Sequence, residues 1–194
     1  RGRIRAHLLK LDVADRYLRF GYAANDEQVV RYADQLNFSR DDVFGIFNRR
    51  LELIAMAHLA YMDLAEHSNC AEFGVSVLKT ARGLGLGTRL FARAVLRARN
   101  QGVEMIFIHA LSENTPMLKI ARNAGARVQR DGSESEAYLQ LPAPCLDSRV
   151  TELWGSQVAE VDYQYKKQAK QFWSILADVQ KIRQDVRDGR HKSS

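Results

Sequence analysis

What this chain of 194 residues has little of narrows the field first. It carries two cysteines, Cys70 and Cys145, too few for a disulfide framework, and neither sits in a Cys-x-x-Cys pair. A reducing, cytoplasmic setting is therefore expected. No apolar run reaches the ~20 residues of a membrane-spanning helix, and the start has no signal-peptide pattern. The sequence opens on Arg1 and not on Met, so its first residues are not taken as the native N-terminus. Charge of one sign is also missing: 29 Lys and Arg against 23 Asp and Glu leave a mild net charge of +6. That balance suits an anionic ligand such as a nucleotide. A solvated basic surface accounts for it without a nucleic-acid partner, and no membrane partner or metal site is expected.

What is present reads as mixed α and β. Leu8 to Phe20 and Asp26 to Leu36 have the apolar spacing of helices, with Asn25 placed to cap the second. VFGIFN (43–48) and LELIAMAHLAY (51–61) suggest a hairpin. CAEFGVSVL (70–78) is a further strand, and TRLFARAVLRARNQ (88–101) a strongly amphipathic helix stopped by Gly102. VEMIFIHAL (103–111) is apolar enough for a strand buried on both faces. NTPMLKIARNAG (114–125) reads as a short helix with Pro116 in its first turn. ARVQRD and EAYLQL close the pattern as two strands separated by Asp131 to Ser135, and Pro142 and Pro144 mark a boundary.

Between the strand ending near Leu78 and the helix beginning near Thr88 stand three glycines at alternate positions, in RGLGLG. Main chain stripped of side chains at a helix N-terminus is suited to an anion, usually a phosphate. A nucleoside-triphosphate loop needs Gly-Lys-Ser/Thr, and here Gly87 is followed by Thr88 and Arg89. A dinucleotide loop needs a third glycine at the position held by Thr88 or Leu90. Both readings fail.

The remaining pattern, Arg82-Gly83-Leu84-Gly85-Leu86-Gly87, resembles the acetyl-coenzyme A loop of the Gcn5-related N-acetyltransferase (GNAT) family. AEFGVSVLKTARGLGLGTRLFARAV supplies the strand, loop and helix of that family, and ENTPMLKIARNAGA is similar to its second motif. The resemblance covers roughly residues 4 to 141, and AEF-x-V with L-x-EN-x-x-ML is closest in look to bacterial protein lysine acetyltransferase-like members. It implies a mixed, mostly antiparallel central sheet flanked by helices, in a domain spanning 1–142. It also implies that the pyrophosphate lies on main-chain N–H groups from Gly83 to Thr88, with Arg82 adding charge. The pantetheine arm would run along Val75 and Val77, an N–H near Val75 would face the oxyanion, and Asn114 would reach the arm.

Glu72 is the candidate general base. Alternation along the strand puts Glu72, Gly74 and Ser76 on one face and Ala71, Phe73, Val75 and Val77 on the other. A carboxylate among apolar residues is costly to bury, and partial desolvation would raise its pKa toward neutrality. The alternative is a carboxylate on an exposed strand end, paired with an arginine. His58 and His109, on apolar strands, read as satisfied core residues, while Glu66 and His67 read as a solvated loop that could line an acceptor site. The tyrosine that often protonates the leaving thiolate in the family is replaced by Ala121, which leaves Tyr138, Ser112 or water as candidates.

From about Val150, Trp154, Val158, Val161, Tyr165, Phe172, Leu176, Val179, Ile182 and Val186 recur at three- and four-residue steps. Residues 143–194 are thus expected to form a long amphipathic helix that assembles a homodimer. The expected activity is acetyl-coenzyme A dependent N-acetyl transfer to an amine acceptor, a protein lysine ahead of a small amine. The alternative is a non-catalytic acyl-coenzyme A sensor or scaffold assembled through the C-terminal helix.

Overall fold

The computed structural model describes residues 1–62, 70–144 and 151–152. Three helices come first: α1 (Gly2–Leu9), α2 (Val13–Phe20) and α3 (Asp26–Gln35). The apolar spacing from Leu8 to Phe20, read above as one helix, is broken in two. The Asp12 side chain accepts a hydrogen bond from the Asp15 N–H at 2.8 Å, starting a new helix, while Leu11 turns into the core. Asn25 caps α3 as expected, in a reciprocal capping box with Gln28.

Strands β1 (Asp42–Phe47), β2 (Leu53–Tyr61) and β3 (Cys70–Val77) lead into helix α4 (Leu86–Asn100). Strand β4 (Met105–Leu111), helix α5 (Thr115–Asn123), β5 (Arg127–Asp131) and β6 (Glu134–Gln140) complete the domain. The hairpin between β5 and β6 is tighter than expected. Its turn is Gly132-Ser133, because Glu134 already pairs with Asp131.

The six strands form one sheet in the order β1-β2-β3-β4-β6-β5. Every pair is antiparallel except β3 and β4, the mixed, mostly antiparallel sheet anticipated above. Alternation sorts the side chains. Ala57, Leu59, Phe73, Ile106 and Ile108 join Leu90, Phe91 and Ala94 of α4 in the main core, where the Phe73 and Phe91 rings meet edge to face at 4.9 Å. On the opposite face Met56 and Leu53 pack with Ile4, Leu8, Val29 and Ala33 of the N-terminal helices.

That second core holds a buried imidazole. His7 is 1% exposed, with Nδ1 2.9 Å from the Leu53 carbonyl and Nε2 2.8 Å from Ser76 Oγ. A carbonyl only accepts, so Nδ1 carries the hydrogen and Nε2 accepts from the serine hydroxyl. Burial holds the His7 pKa below its ordinary value, against the opposing pull of the Leu53 carbonyl. His7 therefore binds its proton more weakly folded than unfolded. Its contribution to stability is complete above the unfolded value of 6.5 and is lost as pH falls below it toward the folded value. Denaturant melts from pH 7.5 to 5 should lose stability with a slope of up to ~1.4 kcal/mol per pH unit from this group. A His7→Gln variant with the same slope as wild type would contradict the assignment.

The long helix expected over 143–194 lies outside the described residues, apart from 143–144 and 151–152. Thr151 and Glu152 are helical, and Glu152 is held on α4 by Asn100 Nδ2 at 2.6 Å and Arg97 Nη1 at 3.4 Å.

Candidate active site

Strands β3 and β4 share three register positions, Cys70 with Met105, Ala71 with Ile106 and Glu72 with Phe107, and their pairing ends there. The main chain of β3 beyond that point has a definite orientation. Leu78 N–H bonds to the Ile54 carbonyl and Met62 N–H to that of Cys70, so pairs 56/76, 58/74 and 60/72 are the mutually bonded ones. Residues between them turn their N–H and C=O groups the other way. Val75 and Val77 thus present main-chain donors and acceptors to the split.

The split opens into a cleft of about 740 Å³. At its other end the chain passes from a short 3₁₀ turn, Lys79–Ala81, into the glycine loop and α4. Gly83 and Gly85 have φ of +77° and +68°, a left-handed conformation that glycine adopts without strain. Gly85 is the N-cap residue of α4, and no side chain caps this end. The first main-chain bond of the helix runs from Arg89 N–H to the Gly85 carbonyl, so the N–H groups of Leu86, Gly87 and Thr88 have no partner inside the helix. Gly87 serves another purpose. A Cβ there would lie 3.1 Å from Ile120 Cδ1, so its absence lets α5 approach the loop. Unpaired amides, the positive end of a helix of 15 residues and the split strand edge suit a pyrophosphate with a slim polar arm.

The structure brings Glu72, Val75, Val77, Arg82, Gly83, Gly85, Leu86, Gly87, Thr88 and Asn114 to the wall of this one cleft. Leu84 does not join them; it stands 66% exposed at the loop tip. Arg82 lines the cleft with its guanidinium already paired to the Asp15 carboxylate of α2. Asn114 caps α5 by accepting from the Met117 N–H and donates from Nδ2 to the Leu18 carbonyl, each at 3.3 Å. Helix α2 is therefore tied to both sides of the split.

Glu72 is exposed, so the desolvation argued from its apolar neighbours does not apply. Alternation gave its face correctly, but no described helix covers that part of the face. His58 is the satisfied histidine expected: Nδ1 is 2.9 Å from Tyr32 Oη and Nε2 3.2 Å from Asp41 Oδ2. Burial lowers its pKa despite the Asp41 contact. His109 is not a core residue. It is exposed and lines the cleft on the same face as Glu72, with Nε2 3.7 Å from Glu134. Tyr138 and Ser112 lie outside the cleft lining. Tyr138 donates to Glu136, and Ser112 Oγ bonds to the Gly132 and Glu134 carbonyls of the β5–β6 turn. Glu66 and His67 lie outside the described residues. No group of His, Cys, Asp and Glu suited to a metal ion occurs among the described residues.

Sequence reasoning passed over Arg19, at the end of α2, which lines the cleft against Gly74. The available signal was Gly74 itself, since an isolated glycine inside an apolar strand marks close approach by another group.

Comparison with known proteins agrees with this architecture. The model of the acetyltransferase (GNAT) family matches residues 5–126. Among solved structures, the chain is similar to the GNAT domain of S. lividans PAT, with 18% identity and a TM-score of 0.61 over 72% of this chain and 84% of that one. It is similar to YncA from Salmonella typhimurium with its cofactor acetyl-CoA, at 14% identity and a TM-score of 0.56 over 73% and 92%. A ribosomal-protein-alanine N-acetyltransferase from Brucella melitensis gives 16% and 0.55 over 71% and 96%. At these identities the likeness is one of fold. With the family model spanning more than half the chain, and a split sheet leading into a glycine loop, the protein belongs to the GNAT family of N-acetyltransferases.

Proposed function

We propose that the protein moves the acetyl group of acetyl-coenzyme A to a primary amine, with a protein lysine ahead of a small amine as acceptor. The observation that carries the reading is the split between β3 and β4 running into the uncapped N-terminus of α4. In this reading the amides from Gly83 to Thr88 hold the pyrophosphate and the edge of Val75 and Val77 aligns the arm. The arm's thioester then faces the apex of the split, near Glu72 and Phe73. Glu72 accepts the proton that the amine must lose, the amine nitrogen bonds to the acetyl carbon, and the carbon–sulfur bond breaks to release coenzyme A as thiolate. The Val75 N–H, turned into the split, is the candidate donor to the oxyanion. Water protonates the thiolate, since Tyr138 and Ser112 lie outside the cleft wall and Ala121 has no acid. The direct test is mass-detected transfer from acetyl-coenzyme A to a panel of lysine peptides and small amines. Tight coenzyme A binding without product from any amine would favour the sensor alternative.

The C-terminal stripe supports a homodimer in the same reading. Truncation after Gly155 keeps Glu152 on α4 and removes most of the stripe. Light scattering should report a dimer for the full chain and a folded monomer for the truncation; monomers at both lengths would remove the helix from any role in assembly.

A further inference from the structure

The acyl end of the cleft holds a cation with no described counter-charge. Arg19 donates from Nη2 to Tyr32 Oη at 2.8 Å. Its guanidinium carbon stands 5.3 Å from the Phe20 ring centre and 5.4 Å from that of Tyr32. Tyr32 is oriented in turn by His58, and His58 by Asp41. Asp41 accepts from His58 Nε2–H, His58 Nδ1 accepts from Tyr32, and the Tyr32 oxygen is left to accept from Arg19. The chain runs in one direction and fixes one edge of the guanidinium. Of the five N–H donors of arginine, the remaining ones meet no described acceptor, and no described carboxylate comes within 4.0 Å.

Strand β3 makes room for this group. A Cβ on Gly74 would lie 2.6 Å from the guanidinium carbon, so any other residue would displace it. Gly74 stands two residues past Glu72, on the same face, where pairing with β4 has just ended. At ~3.3 Å per residue, Gly74, against which the Arg19 fork lies, is ~7 Å along the strand from the main chain of the candidate base. At the opposite, loop end of the cleft, α2 already neutralises two cations: Arg82 is paired with Asp15 and Lys79 with Asp12. Among the described residues, Arg19 is the arginine of α2 that lines the cleft with no carboxylate within 4.0 Å. A planar, oriented, half-buried guanidinium is matched to a carboxylate, which it meets through two parallel N–H bonds.

We propose that Arg19 recognises a carboxylate beside the reacting centre. This deepens the acetyltransfer reading and rests on it. The carboxylate belongs either to the acceptor, as in an amino acid or a lysine next to an acidic residue, or to a dicarboxylic acyl group on coenzyme A.

The test uses the full chain and matched probes. One arm compares amino acids with their amides, and lysine peptides flanked by Glu with those flanked by Gln, each with acetyl-coenzyme A and mass detection. The other compares succinyl-coenzyme A with acetyl-coenzyme A by calorimetry. Wild type should favour the carboxylate-bearing member at least tenfold in kcat/KM in the first arm, or in affinity in the second. The arm that responds identifies the source. In Arg19→Gln that preference should collapse toward unity, and Arg19→Lys, which keeps the charge without the fork, should retain part of it. Coenzyme A binding separates the ways of failing. If coenzyme A binds but neither arm shows a preference, or the preference survives in Arg19→Gln, this proposal is overturned and the acetyltransfer reading stands. If coenzyme A does not bind to wild type, both fall.

Discussion

Glu72→Gln is expected to slow acetyl transfer by ~10²–10⁴ while leaving acetyl-coenzyme A affinity close to that of wild type. The affinity is spared because the amides assigned to the pyrophosphate lie at the far end of β3, beyond Val77. The turnover is lost because Glu72 occupies the last paired position before the sheet splits, where the thioester would arrive. Its exposure lets an incoming amine meet the carboxylate directly, without a buried relay. His109 is the comparison residue, since it is also exposed and faces the cleft from β4. If Glu72→Gln retained full turnover and His109→Gln lost it, the two assignments would exchange.

Gly85→Val should weaken acetyl-coenzyme A binding at least tenfold, or ~1.4 kcal/mol, in calorimetry. The reason differs from a simple block of the phosphate site. An added Cβ at Gly85 meets nothing within 4 Å, so space is not what demands glycine there. The demand comes from φ of +68°, which a β-branched residue resists. Relaxing toward negative φ would rotate the Leu86 amide away from its neighbours and misalign the loop's donors. Gly85→Asn offers the control, because asparagine tolerates the left-handed region and should keep more of the affinity. Unchanged binding in the valine variant would remove the loop from the cofactor site.

The strands and helices around the cleft were legible because their signals are local. Glycine spacing, the Asn114 cap with Pro116 behind it, and the two-residue alternation of β3 all act within a few residues. What escaped the sequence depends on partners far along the chain. The break at Asp12 interrupts apolar spacing that continues unbroken from Leu8 to Phe20. Alternation placed Glu72 on its face but does not say whether a helix covers that face, and so the desolvation argument failed. Arg82 pairs with Asp15 across 67 positions, and no spacing rule connects them. His109 looked like core because it sits in an apolar strand; its neighbours Ile108 and Ala110 are indeed buried, but its own side of β4 is open.

The split in the sheet also bears on self-association. Where β3 and β4 part, the molecule carries two unpaired strand edges in its middle, and a bare edge is a template for any passing extended chain. Sheets usually blunt such edges at their rims with charge, proline or bulges; here the vulnerable stretch is interior and, in the function proposed above, must stay open to admit the arm. Helix α2 reconciles the two requirements. Through Asp15 it is fastened to Arg82 beside one edge, and through the Leu18 carbonyl to Asn114 beside the other. The same short helix that carries Arg19 to the cleft is thus placed to screen the gap against intermolecular β-pairing, and loosening either fastening is expected to raise the aggregation hazard of this chain.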